Sequence, residues 1–116
     1  MDSILTSVKK MLGIAEEYEA FDQDIIMHVN SAFSTLNQIG AGPDEGFSIE
    51  DSTKQWADYS DNQKLINMIK PYVYRKVRVA FDPPTNSTAV DSIKQAIAED
   101  EWRINLEVDK KENQNE

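Results

Sequence analysis

The sequence predicts an all-α fold, a small bundle of four to five helices followed by a flexible polar C-terminal tail. Apolar residues recur at spacings of three and four in four segments, which is typical of one buried helix face. Residues that cap helices or form turns flank these segments, and no pair of alternating segments indicates a sheet. A chain of 116 residues fits one domain. We expect a helical body at 1–106 and a disordered acidic and polar tail at 107–116.

The first half of the chain contains two of the predicted helices. The first covers about 2–12, with Asp2 or Ser3 as its N-cap and a glycine after its last turn. The second covers about 23–39, and Asp22 is its expected N-cap because a carboxylate can accept the unpaired backbone N–H groups. Turn residues at 41–46 then predict a loop, after which a short extended piece and a brief helix are expected.

The second half contains the longest predicted helix, at about 61–81. Pro71 lies inside it and is expected to kink it, because proline removes one backbone hydrogen bond and clashes with the preceding turn. Asp82, Pro83 and Pro84 end this helix, since a residue before proline is driven out of helical geometry. The last predicted helix covers about 88–106.

The charge of the chain is strongly negative and unevenly distributed. Its 21 acidic and 12 basic residues give a formal net charge of −9. The segment 70–81 is an exception, because it contains four basic residues and no acidic one. Such a run is commonly a solvated helix face, and it can also be an interface with an acidic surface. A protein this acidic does not gain affinity for DNA by neutralising phosphates, so a DNA-binding role is disfavoured.

Several kinds of functional site lack support in the sequence. The chain has no cysteine, so it has neither a disulfide framework nor a thiolate metal site. His28 is the only histidine, and we expect it on the exposed side of the second helix without a catalytic partner. No apolar run is long enough to span a membrane. The sequence predicts no cofactor, no metal site, no membrane association and no enzymatic activity.

Two tryptophans admit two interpretations each. Trp56 and Trp102 fit burial in the core, because apolar aromatic side chains bury a large area. They equally fit anchors of a protein interface, where tryptophan is enriched. Spacing alone does not separate these alternatives.

One segment resembles a known family. The stretch from Tyr72 to Pro84 combines an apolar and basic helix with the junction Phe81-Asp82-Pro83-Pro84, and it resembles the phage head–tail connector family. The Glu101-Trp102-Arg103-Ile104-Asn105 piece is similar to that family's closing helix. The resemblance covers about 3–106, and Pro71 is not part of its pattern.

The resemblance implies a structural role in the neck of a phage particle. Members of the family dock as a ring, expected to be dodecameric, on the portal protein after DNA packaging. The ring extends the DNA channel, which DNA crosses without sequence-specific binding, and it offers a platform to the next neck protein. Assembly then takes place in the host cytoplasm. The resemblance brings no catalytic residue.

The expected contacts of such a ring are basic and aromatic. We expect Arg75 and Arg78 to be exposed, because they lie away from the apolar stripe of their helix. Their acidic partners on the next copy are expected at 99–101 or at 44–51. The alternative function is an acidic interaction module that mimics DNA or inhibits a basic partner. The residues expected at subunit or portal contacts are Arg75, Lys76, Arg78, Trp102 and Arg103.

Overall fold

The computed structural model describes the backbone of residues 2–114 and the side chains of residues 2–110. The described residues form five helices and no strand, so the predicted all-α class is confirmed. The short extended piece expected after the loop at 41–46 does not pair into a strand. The helices are α1 (Ile4–Leu12), α2 (Asp22–Ile39), α3 (Trp56–Tyr59), α4 (Gln63–Phe81) and α5 (Ser87–Gln114).

Helix α4 lies at the centre of the bundle, between α2 and α5. Its stripe of Ile69, Tyr72, Val73 and Val77 is completely buried, as the spacing of these residues predicts. Phe33 of α2 is buried in the same core. Burial of each such side chain contributes roughly 1.5–3 kcal/mol, so this contact is the main source of stability.

The ends of α1 agree with the sequence. The Ser3 side chain accepts a hydrogen bond from the backbone N–H of Thr6 at 3.1 Å, which makes Ser3 the N-cap. Gly13 follows the helix with a φ of 80°, a left-handed conformation that glycine adopts without strain. Both features identify α1 from local chemistry alone.

The start of α2 corrects one prediction. Phe21 occupies the N-cap position and Asp22 is the first helical residue. The Asp22 carboxylate lies 2.8 Å from the Lys9 ammonium group and does not cap its own helix. An ion pair with a buried lysine outweighs a local hydrogen bond, so the prediction of Asp22 as N-cap was wrong.

Lys9 fastens the connector between α1 and α2. Its side chain is only 2% exposed, and its ammonium group donates to the backbone carbonyls of Glu16 and Tyr18, each at 2.8 Å. The Asp22 carboxylate lies 2.8 Å from this group as an ion pair, without the geometry of a hydrogen bond. An ammonium group has three N–H donors, of which two have a hydrogen-bond acceptor here, and Asp22 supplies the opposite charge. The connector is therefore tied to α1 even though its residues are exposed.

The loop that follows α2 is also fixed by side chains. The Asn30 amide donates to the Ile49 carbonyl at 2.9 Å and accepts from the Ile49 N–H at 2.8 Å. Helix α3 begins with a capping box in which Gln55 and Asp58 bond each other's backbone N–H groups. Asn62 is the N-cap of α4. These bonds hold the stretch between α2 and α4 against the bundle.

Pro71 does not divide α4. The helix is continuous from Gln63 to Phe81 with Pro71 inside it. Asp82 follows as the C-cap and Pro83 and Pro84 keep the chain out of the helix, as the sequence predicts.

Helix α5 extends beyond the end at 106 that the sequence predicts. It continues to Gln114, and the disordered tail expected at 107–116 stays a prediction. Glu107 is half-buried and lies 3.3 Å from the Lys64 ammonium group, and Val108 packs against the core. These contacts extend the helix into a segment whose composition alone predicts disorder. Residues 115 and 116, the end of the predicted tail, lie outside the described residues.

The first prediction concerns the buried ammonium group of Lys9. Lys9→Ala leaves Asp22 without its counter-ion and two carbonyls without their donor, and it is expected to lower the free energy of unfolding by about 3–5 kcal/mol. Lys10→Ala is the control, because Lys10 pairs with Asp2 on the exposed side of α1. Exposed pairs contribute about 0–1 kcal/mol. Urea unfolding of both variants measures the difference, and equal values would contradict the buried anchor.

The second prediction concerns local stability along the chain. Amide hydrogens within α2 and α4 are expected to exchange slowly, because both helices face the core. Amide hydrogens beyond Val108 are expected to exchange fast, because that part of α5 is polar and extends past the buried contacts. Hydrogen exchange resolved to single residues measures both. Strong protection at 109–114 in the free protein would contradict the prediction.

Candidate protein interface

The candidate interface lies on the C-terminal half of α5, which has two faces of different character. The inward face carries Asp100, Glu101 and Ile104, and Ile104 is fully buried. The outward face is exposed and lies opposite, as expected for residues three and four apart on a helix. Its members are Glu99, Trp102, Arg103 and Leu106.

Polar bonds fix the inward face of α5 to α4. The buried Tyr72 donates its hydroxyl hydrogen to the Glu101 carboxylate at 2.8 Å, and the Arg75 guanidinium pairs with Asp100. Burial raises the pKa of the Tyr72 hydroxyl, and the bond to Glu101 raises it further. The hydroxyl therefore stays protonated and continues to donate at neutral pH. This pair of bonds sets the rotation of α5 and with it the direction of Trp102.

The basic residues of α4 are less exposed than the sequence predicts. Arg75, Lys76 and Arg78 are all half-buried, and the Arg75 side chain is 35% exposed. Arg78 lies at 3.5 Å from the Tyr74 hydroxyl, and its buried Nε has no hydrogen-bond partner among the described residues. The prediction of exposed arginines was wrong because α5 packs beside this face of α4 and covers the aliphatic stems. The acidic partner of Arg75 belongs to its own chain.

The two tryptophans have opposite environments. Trp56 is buried and donates its indole N–H to the Ser7 hydroxyl at 3.0 Å. Trp102 is 64% exposed, and Arg103 beside it forms only an exposed ion pair with Glu99 at 3.2 Å. Trp102 therefore belongs to the surface, where a tryptophan of this exposure is unusual for a soluble chain.

The helix junction forms a second aromatic surface. Phe81, at the end of α4, packs edge to face on Phe21 with 5.4 Å between ring centroids, and Phe21 packs on Tyr18 in the same manner. Asp82, Pro83 and Pro84 follow at the surface. The junction motif thus joins α4 to the α1–α2 connector, a contact that sequence alone does not reveal.

His28 lies at the mouth of a cationic pocket. The ring is half-buried and its centroid lies 6.4 Å from that of Phe81, so the prediction of an exposed histidine was wrong. The pocket has a volume of about 280 Å³ between α2, α4 and α5. Ser31, Lys76 and Lys94 also line it, and no acidic residue of the described chain does. We name this the cationic pocket.

A metal site and a membrane span were sought among the described residues. No group of three or more histidine, aspartate or glutamate side chains lies close enough to hold a metal ion there. None of the helices in that part of the chain combines the length and the apolar character that crossing a membrane requires.

These features define a small acidic helical protein with an exposed aromatic face on its last helix. Comparison with protein families shows where it belongs. The family described as phage connector protein matches residues 4–111, which is nearly the whole chain. The chain is therefore a member of the phage connector protein family, as the junction motif and the closing helix suggested. No curated protein and no solved structure matches it.

The third prediction tests the bond that orients α5. Tyr72→Phe removes the hydroxyl donor and leaves the Glu101 carboxylate without that partner, and it is expected to lower the free energy of unfolding by about 1–3 kcal/mol. Tyr18→Phe is the matched control, because Tyr18 is an exposed tyrosine whose hydroxyl forms no side-chain hydrogen bond with another described residue. Urea unfolding measures both. An equal loss in the free energy of unfolding of the two variants would show that the hydrogen bond between α4 and α5 does not stabilise the fold.

Proposed function

We propose that the protein is a structural subunit of the virion neck that docks as a ring, dodecameric on the portal, after DNA packaging. The ring extends the DNA channel and presents a platform to the next neck or tail-completion protein. Assembly takes place in the host cytoplasm, and the subunit is not an enzyme. Membership of the phage connector family supports this proposal and favours it over a DNA mimic or an inhibitor.

The outward face of α5 carries the proposal. Trp102 and Leu106 lie one helical turn apart and are both exposed, although the core is otherwise well formed. A pair of exposed large apolar residues lowers the solubility of a protein unless a partner covers it. Tryptophan and arginine are the residues that most often dominate binding energy at interfaces, and Arg103 lies beside Trp102. We assign the outward face of α5 to the contact with the portal or with the next subunit.

The charge of the chain suits a channel. With a net charge of −9, each subunit repels the DNA backbone, so DNA slides through without sequence-specific binding. The same charge makes copies of the chain repel one another, so basic residues have to lie at contacts. We assign Lys76 and Arg78 to such contacts together with Arg75, which has further N–H groups beside the one that binds Asp100.

The fourth prediction tests the role of Trp102. Trp102→Ala is expected to leave the free energy of unfolding within about 0.5 kcal/mol of its original value, since the side chain is exposed in the free subunit. Binding to purified portal rings is expected to fall about ten-fold or more, as for a central interface residue. Sedimentation with portal rings and electron microscopy of the complexes measure binding.

The control is Met27→Ala, because Met27 is 59% exposed on α2, away from the outward face of α5. It removes a large exposed apolar side chain without touching the proposed contact. If both variants bind portal rings as the original protein does, the outward face of α5 is not the portal contact. If the original protein does not bind portal rings at all, the proposed function fails.

A further inference from the structure

We propose that the cationic pocket binds carboxylates of the acidic loop of a second copy of this chain. The pocket residues are His28, Ser31, Lys76 and Lys94. The acidic loop is residues 44–51, whose exposed carboxylates belong to Asp44, Glu45, Glu50 and Asp51. This inference rests on the proposed ring and names the contact that closes it between neighbouring subunits.

The ligand class follows from the donors of the pocket. Two lysines, a histidine and a serine line it, with Val79 and Ile97 as apolar lining. Neither Lys76 nor Lys94 forms an ion pair or a side-chain hydrogen bond with another described residue. An acid-free pocket of N–H and O–H donors selects an anion. The chain is strongly acidic, and yet no near neighbour within it neutralises the positive charge of these two lysines.

Of the two acidic segments at 99–101 and 44–51, the second has carboxylates available to bind another copy and the first does not. In the segment 99–101, Glu99 pairs with Arg103, Asp100 with Arg75, and Glu101 accepts from Tyr72. All three carboxylates are therefore engaged within the chain. The acidic loop differs, because the carboxylates of Asp44, Glu45 and Glu50 form no ion pair or side-chain hydrogen bond with another described residue, and only Asp51 is engaged, by accepting from Thr53.

The acidic loop is held in a fixed shape, so little ordering is needed when it binds. Asn30 forms two hydrogen bonds with the backbone of Ile49. The Asn37 amide donates to the Pro43 carbonyl at 3.1 Å. A surface that is already ordered loses less conformational entropy on association.

The two surfaces lie on different sides of the subunit, which suits a ring. Asn30 binds the acidic loop, so the loop lies on the side of α2 that carries Asn30. His28, which lines the pocket, precedes Asn30 by two residues on the same helix. Two residues correspond to about 160° around a helix. A closed ring needs two different patches that meet head to tail, whereas a two-fold dimer needs one patch that pairs with itself. The pocket and the loop are such a pair, of opposite charge.

The first arm of the test traps the contact directly. The chain has no cysteine, so Lys94→Cys on one copy and Glu45→Cys on another introduce the only thiols. Mixed at high concentration, with and without portal rings, these copies are expected to form a disulfide-linked heterodimer under mild oxidation. Lys10→Cys mixed with Glu45→Cys is the control, because Lys10 lies on α1 outside the pocket.

The second arm exchanges charges and uses portal rings. Lys76→Glu with Lys94→Glu is expected to reduce complete rings on the portal at least about ten-fold, because the same weak pairs recur at every subunit contact. Glu45→Lys with Glu50→Lys is expected to do the same. The variant with all four changes restores opposite charges and is expected to recover ring formation. Lys10→Glu with Lys110→Glu is the control for bulk charge, because both lysines are exposed and lie outside the pocket.

The outcomes separate this inference from the proposed function. Rings that form on the portal without the cross-link, or charge reversals without effect, overturn the pocket contact and leave the ring intact. A cross-link without binding to portal rings supports the contact and refutes the proposed docking. A gel shift in which the original protein binds DNA and Lys76→Glu with Lys94→Glu does not would assign the pocket to phosphate, and it would also overturn the inference.

Discussion

The burial of α4 between α2 and α5 is the constraint on which the rest of the structure depends. One side of α4 is apolar and completely buried, so its rotation is fixed. In that orientation the basic residues of α4 lie between its buried stripe and the solvent. Helix α5 covers the aliphatic parts of their side chains there. The same orientation of α4 also places Tyr72 and Arg75 opposite Glu101 and Asp100. The orientation of α5, and hence of its exposed tryptophan, follows from the core of its neighbour.

Buried polar groups then fix the positions of segments that apolar packing does not fix. Most residues of the α1–α2 connector are exposed, so only a few apolar contacts hold it. Lys9 fixes the position of the connector with two hydrogen bonds to backbone carbonyls and an ion pair with Asp22 in a buried place. Asn30 does the same for the acidic loop with two bonds to Ile49. In both cases one well-paired side chain fixes a surface segment, and leaving such a group unpaired is costly.

The sequence predicts the helices well and the surface poorly, for physical reasons. Periodicity of apolar residues depends on the core, which each helix faces by itself, so the buried face of α4 follows the spacing of Ile69, Val73 and Val77. A side chain that could cap its own helix can instead bind a partner elsewhere in the chain, and Asp22 pairs with Lys9 of another helix. Trp56 and Trp102 differ only in what packs against them, which no local pattern contains. The end of α5 depends on contacts of Glu107 and Val108 with residues far away in the chain.

Membership of the family was predictable for a different reason. The junction from Phe81 to Pro84 is a local signal, because two consecutive prolines end a helix wherever the rest of the chain lies. The exposure of Arg75 and Arg78 was not predictable, because it depends on how closely α5 approaches α4. A helical-wheel estimate treats α4 as if it had one neighbour, whereas it packs against α1, α2 and α5.

The distribution of basic residues connects the stability of the subunit with its assembly. With 21 acidic and 12 basic residues, each cation that pairs within the chain has less positive charge left for contacts between copies. Lys9 and Arg75 serve the fold, and both neutralise carboxylates that would otherwise be buried or half-buried without a partner. Lys76 lies one residue from Arg75 but points to a different side of α4, about 100° away. One helix can thus use adjacent cations for different purposes, the first to hold α5 and the second to offer positive charge to another molecule.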